Sequence, residues 1–179
     1  MAPATVKLDD TDFDLLGLPA QQALDRTVLD MRWRQLQAEV HPDRFASEGA
    51  AAQRVAMQWA VRVNEAYQRL KDPVRRAAYL CKLRGVPVDA ERNTAMPAAF
   101  LVQQMDWREA LDEAEDLEAV ERLSQDVART ERELLAHLST CLDHGNDTAG
   151  AASQVRALMF VQRFQHDIER RLDVLDTTR

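Results

Sequence analysis

Apolar residues recur along most of this chain at the three- and four-residue steps of a helix. Leu29, Trp33, Leu36 and Val40 fall on one such stripe, which turns Arg34 and Gln35 towards water. That helix must stop by Val40 or His41, because a residue before proline disfavours the α conformation and Pro42 follows. A second stripe (Ala52, Val55, Ala56, Trp59, Val63, Ala66, Tyr67 and Leu70) predicts a helix from about Glu48 to Lys71, ended by Asp72-Pro73. Ahead of both lies DFDLLGLP (Asp12–Pro19), a short helix closed by Gly17 and Pro19. After them a basic helix runs through Leu83 and ends at Gly85.

Between Gly85 and Met96 the periodicity lapses, and GVPVDAERNTAM reads as a linker. Three more helices are expected beyond it, at about Pro97–Glu115, Leu117–Asp143 and Thr148–Asp176. The loop CLDHGNDTAGA separates the last two. Their core stripes are Phe100, Trp107, Leu111 and Ala114; Leu117, Val120, Leu123, Val127, Leu134 and Leu138; and Leu158, Val161, Phe164, Ile168, Leu172 and Leu175. The expected fold is all-α in two pieces, an N-terminal helical hairpin and a C-terminal three-helix bundle. Residues 1–84, 85–96 and 97–179 form the hairpin unit, the linker and the bundle.

Composition agrees with this picture. The 179 residues include only five glycines and six prolines, few for an all-β or loop-rich protein. The apolar runs are too short to span a bilayer, and MAPATVKLDD lacks the pattern of a signal peptide, so cytoplasmic residence is expected. Cys81 and Cys141 stand far apart with no CxxC, which offers neither a disulfide framework nor a zinc site. They read as small buried apolar residues. The net charge of −7 disfavours nucleic-acid binding. It is unevenly spread: Val74 to Arg84 holds four bases and no acid, whereas Asp106 to Glu121 holds eight acids and one arginine.

Enzyme chemistry finds little support. His41, His137, His144 and His166 are scattered, and no HExxH pair, nucleophile elbow or phosphate-binding glycine loop occurs. The acids of 106–121 lack the His, Asn or Gly pattern that shapes a cation site, so no metal and no cofactor is expected.

The break between the hairpin helices is more informative. His41-Pro42-Asp43 sits at the hairpin tip, behind a helix with the outward Arg34 and ahead of Arg44. With VNEAYQRLKDP (Val63–Pro73) and the basic helix that follows, HPDRF (His41–Phe45) resembles a J-domain, the module by which DnaJ-type co-chaperones engage DnaK-type ATPases. The glycine/phenylalanine-rich and CxxC segments of general DnaJ proteins do not follow. Instead Ala78-Tyr79-Leu80 and AAFLVQQMDWREALDEAE (Ala98–Glu115) are similar to the HscB family of iron–sulfur cluster co-chaperones, and that similarity covers nearly the whole chain.

The resemblance implies two partners. An HscA-type, DnaK-like chaperone would dock on His41, Pro42, Asp43, Arg34 and Arg44, and its ATP hydrolysis would be stimulated. An IscU-type scaffold protein would dock on the bundle. Leu101, Val102 and Met105 fall beside the core stripe of their helix, on an arc shared with Asp106, Glu109 and Glu113. By themselves these acids read as a solvated face. The resemblance makes the arc a protein-binding patch and adds Phe160 of the last helix to it. A second reading keeps the J-domain and gives the bundle a different client.

Overall fold

The computed structural model describes residues 7–91 and 94–177, and all regular structure among them is helical. Two compact units divide it, Met1–Leu80 and Cys81–Arg179.

In the first unit, α1 (Asp12–Leu15) precedes a helical hairpin made of α2 (Arg26–Val40) and α3 (Ala50–Lys71). Asp25 starts α2 by accepting the N–H groups of Thr27 and Val28, two donors that a helix start leaves unpaired. Asp72 does the same for α4 (Pro73–Leu83), whose first residue is a proline with no N–H to satisfy. The hairpin closes over Leu29, Leu36, Val40, Ala56, Trp59, Val63, Ala66, Tyr67 and Leu70, all buried. Three residues expected on the hairpin stripes differ, of which Ala52 is part-buried. Val55 is 42% exposed, because it lies about 100° around the helix from Ala56, on a side that no other described element of this unit covers. Trp33 is only half-buried; its ring stacks on Tyr67 at 4.5 Å and its Nε1 donates to Asn64.

A four-residue α1 cannot stand alone. Its Asp12 is fully buried and accepts from Arg62 Nη1 at 2.7 Å and Arg69 Nη1 at 2.5 Å, both on α3. The Asp12 N–H donates to Tyr79 Oη on α4, and Arg69 rests over the Tyr79 ring. This network ties α1 to both neighbours.

Gly85, at φ 80°, ends α4: its N–H donates to Lys82 O and that of Val86 to Cys81 O, a left-handed cap that favours glycine. The last turn of α4 belongs to the second unit, where Arg84 Nη1 donates to Leu142 O at 2.7 Å. The expected linker has no helix among its described residues, yet it is held. Val88 is buried, and the buried Arg156 donates to Val88 O and to Ala95 O.

The bundle then consists of α5 (Ala98–Glu113), α6 (Leu117–Ser139) and α7 (Thr148–Thr177). A π-helical turn, Thr140–His144, extends α6 and buries Cys141 and Leu142. Phe100, Trp107, Phe160 and Phe164 form the aromatic centre of the core, joined by Val120, Val127, Val161 and Ile168. Trp107 stacks on Phe164 at 5.8 Å, and its Nε1 donates to Asp126 at 2.9 Å, so its one polar atom is satisfied.

Candidate functional site

The His41–Phe45 turn exposes His41, Asp43 and Arg44 and buries Phe45. His41 ends α2 in an extended conformation, φ −62° and ψ 127°, as its position before proline requires. A 3-10 turn, Pro42–Glu48, follows in place of the open loop expected from sequence, and α3 starts only at Ala50. The His41 side chain caps this turn, its Nδ1 accepting the Asp43 N–H at 3.3 Å. Arg44 bends back and its Nη1 donates to Ala38 O at 3.0 Å, one of the carbonyls left unpaired where α2 ends. Phe45 is buried and anchors the turn in the core. Gly49, at φ 94° and ψ 169°, makes the corner into α3 in a region that essentially only glycine occupies.

With its neighbours tied down, Asp43 points away: 91% of its side chain is exposed, against 56% for His41. Apart from His41 Nδ1 at 3.7 Å, its carboxylate faces solvent, where it can accept a charge-assisted bond from a partner cation. Arg34 is exposed one helical turn before Ala38, so Arg34 and the back-folded Arg44 share a flank of α2. The turn therefore presents one acid beside a basic flank.

The second candidate surface is on α5. Leu101, Val102 and Met105 are 40%, 61% and 70% exposed, a contiguous apolar strip on an otherwise polar face. Asp106, Glu109 and Glu113 are exposed along the same helix. These six residues are brought onto one surface. Phe160 is not one of its exposed members. It is 8% exposed, set edge-on to Phe100 at 5.7 Å and stacked on Phe164 at 5.9 Å, because its position on α7 falls on the core stripe. Its link to the surface is Arg108, whose guanidinium carbon lies 5.3 Å from the centre of the Phe160 ring. Sequence reasoning passed over Arg108, although it is the one base in the acidic run 106–121.

Both cysteines are buried and unpaired, and burial pushes each thiol up from its ordinary value. Among the described residues, no helix is long and apolar enough to cross a membrane.

Known proteins resemble this chain in sequence and in fold. Residues 96–169 match the family described as the HSCB C-terminal oligomerisation domain. The chain is 49% identical over 175 residues to a co-chaperone protein HscB homolog of Burkholderia cenocepacia, covering 96% of this chain and 99% of the relative. It is 51% identical over 174 residues to one of Cupriavidus taiwanensis, covering 95% and 98%. Among solved structures, chaperone HscB from Vibrio cholerae superposes with a TM-score of 0.79 at 36% identity, over 93% of this chain and 99% of that one. The human co-chaperone protein HscB does so with a TM-score of 0.84 at 25% identity, over 94% and 84%.

Proposed function

The chain belongs to the HscB family of co-chaperones, and from that premise we propose that it delivers an IscU-type iron–sulfur scaffold protein to an HscA-type, DnaK-like chaperone and stimulates that chaperone's ATPase. The observation that carries the reading is the outward Asp43 on a turn held by Arg44 and Phe45. Preorganisation of this kind removes the ordering cost of docking, so the carboxylate meets an arginine on the partner without first being arranged. Arg34 and Arg44 steer that encounter towards an acidic patch. The protein performs no reaction of its own in this reading; docking changes the rate at the chaperone's own active site.

The scaffold protein binds the α5 surface. Leu101, Val102 and Met105 supply area that leaves water on contact, and Asp106, Glu109 and Glu113 select a partner with basic residues at the matching rim. Phe160 contributes from below, by holding the surface in shape. We assign the protein to the cytoplasm, where it would aid maturation of iron–sulfur proteins.

Two variants test this. Asp43→Asn is expected to abolish ATPase stimulation while stability stays within about 0.5 kcal/mol, as for other exposed substitutions. A Leu101→Ala, Val102→Ala, Met105→Ala triple variant is expected to weaken scaffold binding about tenfold or more, with basal stimulation intact. Phe160→Ala is left out of this set because a core aromatic would confound folding with binding. Undiminished stimulation by Asp43→Asn, or unchanged scaffold affinity of the folded triple variant in titration calorimetry, would overturn the corresponding half.

A further inference from the structure

We propose that the segment docked on α5 carries a carboxylate side chain beside its apolar residues, and that Arg108 receives it. The inference rests on reading the Leu101–Met105 strip as the scaffold-binding surface. A groove of about 750 Å³ separates α5 from residues 94–96, and its α5 wall is Leu101, Gln104, Met105 and Arg108. Those four positions recur at helical spacing and make one face. Leu101 and Met105 belong to both the groove and the exposed strip, so a partner covering the strip reaches the groove without a break.

Arg108 is the one base in an acidic stretch of sequence, yet it forms no ion pair among the described residues. Asp112 occupies the i+4 position, where a salt bridge can form, whereas Asp106, Glu109 and Glu113 lie about 100° or more around the helix from Arg108. The guanidinium rests over the Phe160 ring instead. That ring is held on two sides by Phe100 and Phe164, so the cation sits on a fixed platform at the groove wall. Contact with a ring face uses no acceptor, and the N–H donors of Arg108 remain available to a ligand.

Docking takes water away from this cation. A dehydrated guanidinium without an acceptor is costly, and a basic residue placed against it adds repulsion. A uniformly basic partner therefore fits the acids of α5 but not the groove. A carboxylate matches the planar fork of an arginine in a two-point bond, better than a neutral acceptor does. The partner surface is accordingly of mixed sign, basic towards Asp106, Glu109 and Glu113 and acidic towards Arg108. Such a pattern fixes the direction in which the partner lies along the helix and rejects surfaces of one sign.

The test uses the full-length protein and an IscU-type scaffold protein from the same organism, followed by titration calorimetry. Arg108→Met keeps a side chain over Phe160 and removes the charge; Arg108→Glu reverses it. Arg108→Met is expected to weaken binding about tenfold and Arg108→Glu further. Changing one scaffold Asp or Glu to Arg is expected to restore affinity for Arg108→Glu while lowering it for the native chain. Melting curves and basal ATPase stimulation establish that each variant is folded. If both Arg108 variants bind as the native chain does, or Arg108→Glu binds more tightly, while the Leu101, Val102, Met105 triple variant is weakened, the carboxylate inference is overturned and the scaffold reading stands. If the triple variant also binds normally, the scaffold reading itself falls.

Discussion

Asp43, Arg44 and Phe45 are consecutive residues with three separate fates: the first faces solvent, the second satisfies a helix-end carbonyl and the third is buried. Side chains one apart in a tight turn diverge, so a short motif can hold its own fold and still expose one group. Asp30 shows the same economy of charge. It accepts from Arg26 Nε at 2.7 Å and from Tyr67 Oη at 2.9 Å, and the Arg26 bond holds its carboxyl below the ordinary value. A depressed carboxylate contributes stability that is fully present above its unfolded value, about 3.9, and is lost as pH falls through the lower folded value. Asp30→Asn is therefore expected to lower the melting temperature at neutral pH, with the deficit shrinking under acid conditions. A deficit that stays constant down to the acid limit of the folded state would contradict this. The side chains of Arg26 and Asp30 are 49% and 26% exposed, so the effect is small and screened by salt.

At the scale of the element, α3 separates what a hydrophobic stripe predicts from what it does not. Trp59 is 4% exposed at the centre of the hairpin, whereas Val55, one turn earlier, is 42% exposed. Trp59→Ala is expected to cost about 3–5 kcal/mol, and Val55→Ala to stay within about 0.5 kcal/mol. Chemical denaturation of the two variants measures both; comparable losses would mean that the exposed edge of α3 is covered in solution. The other elements owe their ends to local chemistry. Asp25 and Asp72 cap helix starts, and Gly85 supplies a left-handed stop. α1 depends instead on Asp12 and two arginines distant in sequence.

In the molecule as a whole, the compact units divide within α4, at Leu80 and Cys81. The stretch after α4 is fastened to α7 by Arg156, whose Nε and Nη1 reach Ala95 O and Val88 O. The Arg156 side chain is buried, and its loss leaves both carbonyls without this donor. Arg156→Ala is expected to lower stability by about 1–3 kcal/mol and to speed proteolytic cleavage between Gly85 and Met96. Unaltered cleavage at that stretch would show that the fastening lies elsewhere. The segment also forms one wall of the α5 groove, so the same variant is expected to disturb binding there.

Much of this was legible in the chain. Helical spacing marked the hairpin and the bundle, Asp-Pro and Gly marked the breaks, and the motifs HPDRF and VNEAYQRLKDP carried the J-domain resemblance. These are local properties, set by backbone preferences and by which side chains recur on one face. Exposure along the flanks of a stripe is not local. Val55 and Phe160 both look apolar in sequence, and only the packing of neighbouring helices left one open and closed in the other. The same holds for Asp12 and Arg156, buried charged residues whose partners are 50 and more residues away. Arg108 is the sharpest case: its sequence neighbours offer it carboxylates, and the tertiary structure gives it an aromatic ring instead. The stripe determined which helices form; the fold decided which of their side chains were left to meet a partner, because burial depends on what arrives from elsewhere in the chain.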